Sequence, residues 1–186
     1  IMSTQPVDVR EVKLDELSIT MAEGKQTGSV GVGIVPALAD AAGGWVPVRL
    51  LIGTVVGGAL AAAGANVFNC ILDRDIDATM RRTAHRGTAT GLISVGQASR
   101  FAVTLSVGSV IVLALTANLL SAVLALAAIA SYVGGYTLLL KRRTTSNIVW
   151  GGVAGCFPVL IGWASVTGSL PLAAWALFLV VFFWTP

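Results

Sequence analysis

The chain has 186 residues, of which 55% are hydrophobic and 11% charged, with 12 Lys/Arg against 9 Asp/Glu for a formal charge of +3. Soluble domains carry about 25% charged residues, and the mean hydropathy here is +0.85, so an ordinary water-soluble globule is excluded. No nucleic-acid partner is expected either: all nine acids lie between Asp8 and Asp77, and the seven Lys/Arg beyond Asp77 fall in two short polar breaks, the pattern of loops between membrane spans.

Residues 1–29 read as a polar N-terminal tail of mixed charge, and no basic run there leads into an apolar block as a secretory signal would. Residues 30–186 read as one membrane domain. A bilayer core about 30 Å thick takes ~20 apolar helical residues. Leu50–Leu72, Phe101–Ala117, Ser121–Leu140 and Ile148–Ser165 suit spans of that kind, and Leu170–Trp184 is a fifth. Val30–Ala42 is apolar but short and holds Pro36 and Asp40, which predicts a partial first span or an interfacial piece. A short Asn-Leu-Leu turn at Asn118 parts the second and third spans. The expected fold is all-α, a polytopic transmembrane helical bundle.

Orientation follows from the cations. Arg74, Arg81, Arg82, Arg86 and Arg100 occupy one break and Lys141, Arg142 and Arg143 another; two spans separate them, so both belong on one face, the cytoplasmic one. The turns near Asn118 and Thr167 are uncharged and belong outside. Glycine pairs within the spans (Gly57-Gly58, Gly134-Gly135, Gly151-Gly152) suit close helix approach in lipid. Cys70 and Cys156 lie in apolar runs and read as small packed residues.

The stretch with chemistry in it is NVFNCILDRDIDATMRRTAHR, Asn66–Arg86. Every fourth residue from Gly53 gives Gly53, Gly57, Ala61, Ala65, Asn69, Asp73, Asp77, one face of a helix. Four small residues can press against a neighbour, and three oxygen donors follow at the cytoplasmic end. Carboxylates at a membrane boundary are costly unless compensated. A hard divalent ion such as Mg²⁺, which binds one or two carboxylates plus substrate phosphates, resolves this, and the arginines that follow suit the remaining phosphate charge. Asp75 is ~200° round the helix from Asp73 and is the weaker candidate. The plain alternative is a solvated helix end with Asp–Arg pairs of little consequence. An EF-hand loop is ruled out by Ala78 and Ala84 where that loop needs Gly and Glu.

This stretch resembles the first motif, N-x-x-x-D-x-x-x-D, of the UbiA family of intramembrane prenyltransferases, with Asn69, Asp73 and Asp77 in the motif positions. DRDIDATMRRT, YTLLLKRRTTSNIVWGGVAGCFPVLIGWASVTG and the terminal WTP resemble the haem-directed branch of that family, and the resemblance runs from about Gly44 to Pro186. It implies a bundle of about nine transmembrane helices around a central cavity, of which about five full spans lie in this chain. It also implies Mg²⁺ on two Asp-rich motifs binding the diphosphate of farnesyl diphosphate, and transfer of the farnesyl group to a vinyl group of haem B, toward haem O and haem A. Asn69, Asp73 and Asp77 would then hold the metal and serve catalysis; Arg81, Arg86, Lys141 and Arg142 would meet the diphosphate or the haem propionates. Tyr132 and Tyr136 are read either as interfacial anchors or as cavity lining. Arg82 and Arg143 read as contacts to lipid head groups.

Departures from the family pattern carry expectations of their own. Arg86 is followed by Gly-Thr-Ala where the family has Pro-Leu-Pro, and no acid follows Asp77, so a second Asp-rich motif is missing. The chain is expected to be a C-terminally truncated N-terminal part of a longer enzyme, with little or no turnover alone. The other readings are a UbiA-type enzyme with an aromatic quinone-precursor acceptor, an inactive membrane fragment, or a cation transporter. A transporter needs polar groups near mid-span, where only Asn66 and scattered Ser/Thr stand. The expected location is the bacterial plasma membrane, with the Asp row on its cytoplasmic face.

Overall fold

The computed structural model describes residues 29–43, 45–140 and 147–184. All but the last residue of the tail expected over 1–29 lie outside the described residues, as do Lys141, Arg142 and Arg143. Among the described residues every regular element is a helix. These are α1 (Ser29–Ala42), α2 (Val48–Leu72), α3 (Arg74–Thr79), α4 (Val95–Thr116), α5 (Leu119–Ala130), a π-helix continuing it over Ser131–Leu140, α6 (Asn147–Thr167) and α7 (Leu172–Trp184). By length and composition Val48–Leu72, Val95–Thr116 and Leu119–Leu139 can each cross a membrane, and Gly151–Thr167 and Leu172–Trp184 are shorter apolar helices. The chain forms the all-α membrane bundle that its composition calls for.

Packing is that of a protein solvated by lipid. On α4 the large side chains Phe101, Val107, Ile111 and Leu115 are exposed while Ala98, Ala102 and Ser109 are buried. The buried face of α2 is Gly53, Gly57, Gly58, Ala61, Gly64 and Ala65 with Thr54 and Asn69. Lipid tails are as apolar as leucine, so helices associate through close backbone approach rather than through a hydrophobic drive. A Cβ on Gly57 would stand 2.5 Å from Cγ of Leu113, and one on Gly64 2.7 Å from Oγ of Ser106. Ser109 Oγ also donates to the Gly57 carbonyl at 2.7 Å. The small row therefore serves two purposes: Gly53 and Gly57 seat α4, while Ala61 and Ala65 line a cavity. Gly134 and Gly135 differ from the expectation, since an added Cβ would meet nothing within 4 Å at either.

Two boundaries moved for local reasons. α4 begins six residues before the expected Phe101, because Ser94 and Gln97 form a capping box: Ser94 N–H donates to Gln97 Oε1 at 3.0 Å and Gln97 N–H to Ser94 Oγ at 3.2 Å. The Asn-Leu-Leu turn shrinks to Ala117 and Asn118, because Asn118 caps α5 and Leu119 and Leu120 are already helical. α1 packs along α6 with Ile34, Ala37 and Leu38 buried, and Gly162 is what lets it: a Cβ there would stand 2.6 Å from the Ile34 carbonyl oxygen. At about 21 Å, by 1.5 Å rise per residue, α1 is shorter than a bilayer core, so the expected partial span is a packed one.

Polar groups fasten the end of the bundle away from the Asp row. Arg49 Nη2 donates to the Leu115 carbonyl at 2.8 Å, serving one of the carbonyls that a helix C-terminus leaves open. Asn118 Nδ2 donates to Ala164 O at 2.6 Å, and its Oδ1 accepts from Ser121 N at 2.9 Å. Ser121 and Ser165 lie Oγ to Oγ at 3.1 Å, and Ser165 Oγ donates to Ile161 O at 2.7 Å. Replacing Asn118 by Ala is expected to destabilise the bundle by about 1–2 kcal/mol through loss of the cap, seen as a lowered denaturation midpoint in detergent. Asn118→Ser, which keeps a cap acceptor and loses the amide bonds to the Ala164 and Ser165 carbonyls, is expected to fall between.

Candidate functional site

The three oxygen donors read from the sequence come together, although not on one unbroken helix. α2 ends at Leu72, Asp73 stands at the junction with φ −95° and ψ 6°, and α3 starts at Arg74. The break keeps the spacing nonetheless, because the Asp73 amide donates to Asn69 O at 2.9 Å and the Asp77 amide to Asp73 O at 2.8 Å. Asn69, Asp73 and Asp77 are 8%, 1% and 5% exposed. Arg74 and Asp75, on the far side of the turn, are exposed.

The chain then folds back over this row. Arg86 Nη1 reaches Asp77 Oδ2 at 2.8 Å, an ion pair in which the arginine side chain is 34% exposed and the aspartate 6%. The hydrogen bond to Asp77 raises the Arg86 pKa above its ordinary value, with burial opposing. The buried Thr83 donates its hydroxyl to the Asp77 carbonyl at 3.2 Å, and Thr88 donates to Cys70 O at 3.2 Å. Backbone bonds from Ala89 and Thr90 to Arg86 O, both 2.9 Å, and from Ile93 to Gly87 O, 2.9 Å, close the turn. Gly87 lets Ile93 pack closely on the turn, since a Cβ would stand 2.7 Å from Cδ1 of Ile93 and displace that side chain. The Gly-Thr-Ala sequence thus builds a bonded turn that delivers Arg86 to the carboxylates.

Arg81, the other basic candidate on this loop, is exposed, and among the described residues it pairs with no carboxylate. Lys141 and Arg142 lie outside the described residues. Three contributors escaped the sequence reading: Thr83, Thr88 and Thr137. Thr137 is 1% exposed, in the π-helix, with Oγ1 3.2 Å from Oδ1 of Asn69. Nothing in the residue types marked them, because each acts through a bond that only the tertiary fold creates. The contact from Thr137 also ties the π-helix to the Asp row.

One helical turn before Asn69, Ala65 and Asn66 line a cavity of about 320 Å³, at the small end of ordinary ligand pockets. Gly58, Ala61, Ala62 and Ala65 of α2 form one wall and Ala154, Gly155 and Pro158 of α6 another, with Asn66 and Tyr132 as its polar groups. Tyr132 stacks on Tyr136 with ring centroids 5.6 Å apart, and Tyr136 in turn fills the space above Gly151, where a Cβ would meet its ring at 2.7 Å. Of the two readings of these tyrosines, Tyr132 lines the cavity and Tyr136 braces it.

Two carboxylates and an amide make a hard, all-oxygen donor set that fits Mg²⁺ better than softer metals. Among the described residues no three acidic, imidazole or thiol groups gather as a complete cage. Any ion held here must complete its shell with water or with the oxygens of a ligand, which is the usual way Mg²⁺ joins a protein to a phosphate.

Residues 30–186 match the UbiA prenyltransferase family. Proteins named protoheme IX farnesyltransferase are similar to this chain: that of Mycobacterium sp. (strain KMS) is 53% identical over 152 residues, covering 82% of this chain and 49% of its own length. That of Mycolicibacterium smegmatis is 52% identical over the same coverage, and that of Clavibacter sepedonicus 53% identical over 81% of this chain and 49% of its own. The chain thus spans about half the length of the curated relatives it matches. No solved structure matches it.

Proposed function

Because the chain belongs to the UbiA prenyltransferase family, we propose that it acts, within the protein its reading frame encodes, as a protoheme IX farnesyltransferase. In this reading farnesyl diphosphate lies with its diphosphate at the Asp row and its chain in the cavity below, and the farnesyl group passes to a vinyl group of haem B to give haem O. The observation that carries the reading is the buried Asn69–Asp73–Asp77 set, which begins one helical turn beyond Ala65 and Asn66 in the wall of an apolar cavity. The name shared by the relatives supplies the acceptor.

An allylic diphosphate breaks when the negative charge of its leaving group is neutralised. Mg²⁺ held by Asn69, Asp73 and Asp77 would supply most of that charge. Arg86 stands ready beside Asp77 as a second cation, pinned within hydrogen-bond reach of the site rather than free in solvent, and such prearranged charge lowers the barrier because it needs no reorganisation. The apolar walls keep water from the allylic carbon, where it would divert the reaction to hydrolysis. The ring of Tyr132 offers an electron-rich face to positive charge emerging in the cavity.

The cations support placing this end in the cytoplasm of a bacterial plasma membrane. Arg74, Arg81, Arg82, Arg86 and Arg100 cluster here, while Arg49 at the opposite end is tied to a helix C-terminus. The test is a reconstituted assay of the protein from its complete reading frame, with farnesyl diphosphate and Mg²⁺, offering haem B and a hydroxybenzoate in parallel. A farnesylated haem by mass spectrometry is the expected product. Prenylation of the hydroxybenzoate with haem B untouched would assign the chain to a quinone-precursor enzyme instead.

A further inference from the structure

The π-helix Ser131–Leu140 places one hydroxyl where the proposed metal site needs it. In the α-helices of this bundle several Ser and Thr hydroxyls bond the carbonyl four residues back, as Thr104 does to Arg100, Thr116 to Val112 and Ser165 to Ile161. Thr137 reaches the carbonyl of Tyr132, five residues back, at 3.0 Å, the register of its π-helix. The same Oγ1 is 3.2 Å from the side-chain amide of Asn69. The segment is braced in this form by the Tyr132–Tyr136 stack and by Tyr136 against Gly151. Isolated π turns inside helices are uncommon and gather at functional sites.

A threonine hydroxyl has one proton and lone pairs to accept with. In the structure that hydroxyl faces two acceptors, the Tyr132 carbonyl at 3.0 Å and Asn69 Oδ1 at 3.2 Å, and its single proton serves the shorter contact. The contact with Asn69 is then satisfied only if the asparagine donates, that is, if its NH₂ faces Thr137. The structure has Oδ1 as the end facing Thr137, but the two ends of an amide exchange by a half-turn that leaves its shape unchanged, so the turned amide fits the same heavy-atom positions. It leaves the amide's carbonyl oxygen on the other limb of the fork. With Oδ1 left toward Thr137, the NH₂ group occupies that limb, and a cation there would meet N–H dipoles instead of an oxygen.

We infer that Thr137 is a positioning residue: its hydroxyl, anchored on the Tyr132 carbonyl, holds the Asn69 amide with its oxygen turned to the divalent cation. The inference rests on the metal site proposed above and adds a determinant outside the Asp motif. Partners that orient a metal ligand typically change affinity by about 10- to 100-fold when lost.

The experiment is an electron paramagnetic resonance titration of Mn²⁺ into the protein from its complete reading frame, in detergent and without prenyl donor. Thr137→Val is expected to weaken Mn²⁺ binding by about 10-fold, Thr137→Ser to restore it to within about twofold of the parent, and Asp73→Asn to abolish it. Thr137→Ala removes the same hydroxyl without added branching and serves if the Val variant does not fold. The decisive arm places Thr137→Val in an Asn69→Asp background. A carboxylate presents oxygen on both limbs, so the loss of Thr137 should no longer matter, whereas a role in packing alone would persist. Wild-type Mn²⁺ binding by Thr137→Val, with Asp73→Asn inactive, overturns the inference and spares the metal site. Undiminished binding by Asp73→Asn removes the metal site and the inference with it.

Discussion

Replacing Asp73 and Asp77 together by asparagine is expected to abolish Mg²⁺-dependent capture of the prenyl diphosphate and to lower turnover by at least about 10³-fold, with either single change costing about 10²–10³. Asparagine keeps the volume and a carbonyl oxygen at each position, so what is removed is charge. Two formal negative charges at 1% and 5% exposure are what make a divalent ion preferable to water at this helix junction. One neutral amide, Asn69, does not replace them. The fold should survive the change. Asp77 loses its ion pair with Arg86, but the arginine is a third exposed, and pairs open to solvent contribute little, about 0–1 kcal/mol. Thermal unfolding within a few degrees of the parent, alongside lost retention of radiolabelled farnesyl diphosphate, is therefore the expected pair of results. Full retention of the donor by the double variant would mean that the diphosphate sits elsewhere.

What could be read in the residues was whatever repeats along a helix. The four-residue spacing from Gly53 to Asp77 announced a small face ending in oxygen donors, because side-chain direction in a helix depends only on position. That survived even the break at Asp73, since the junction conserves the i to i+4 backbone bonds. Hydropathy found the spans but misjudged the start of α4, where Arg100 and Gln97 interrupt the apolar pattern and the capping box extends it. The π-helix was beyond reach: Gly134-Gly135 suggested close packing, and both glycines turned out to face open space. Its extra turn width is fixed by Tyr136 against Gly151 and by Thr137 against Asn69, contacts between residues 15 to 68 positions apart. Arg49 was likewise opaque, because the carbonyl it caps belongs to the end of another helix.

A phenylalanine at Ala65 is expected to leave Mn²⁺ binding intact and to reduce kcat/KM for farnesyl diphosphate by about 100-fold or more, the scale at which a pocket rejects groups it cannot fit. Ala65 is 7% exposed and lines the cavity, on the turn of α2 just below Asn69. At 1.5 Å rise per residue it lies about 6 Å below the donor set, with Ala61 about 12 Å and Gly58 about 16 Å down. These residues act as a depth scale for whatever hangs from the diphosphate. A ring at Ala65 blocks the chain at its first isoprene unit. A ring at Gly58 should instead trim the far end, sparing a geranyl or dimethylallyl donor while excluding farnesyl. Overfilling a packed core typically costs about 1–3 kcal/mol, but here the ring enters existing space of about 320 Å³, so folding is expected to tolerate it. The ordering is the informative part, because it follows from helix geometry and from the chain lying along α2. Equal loss at both depths would point to a general packing defect, and wild-type turnover by the Ala65→Phe protein would place the prenyl chain outside this cavity.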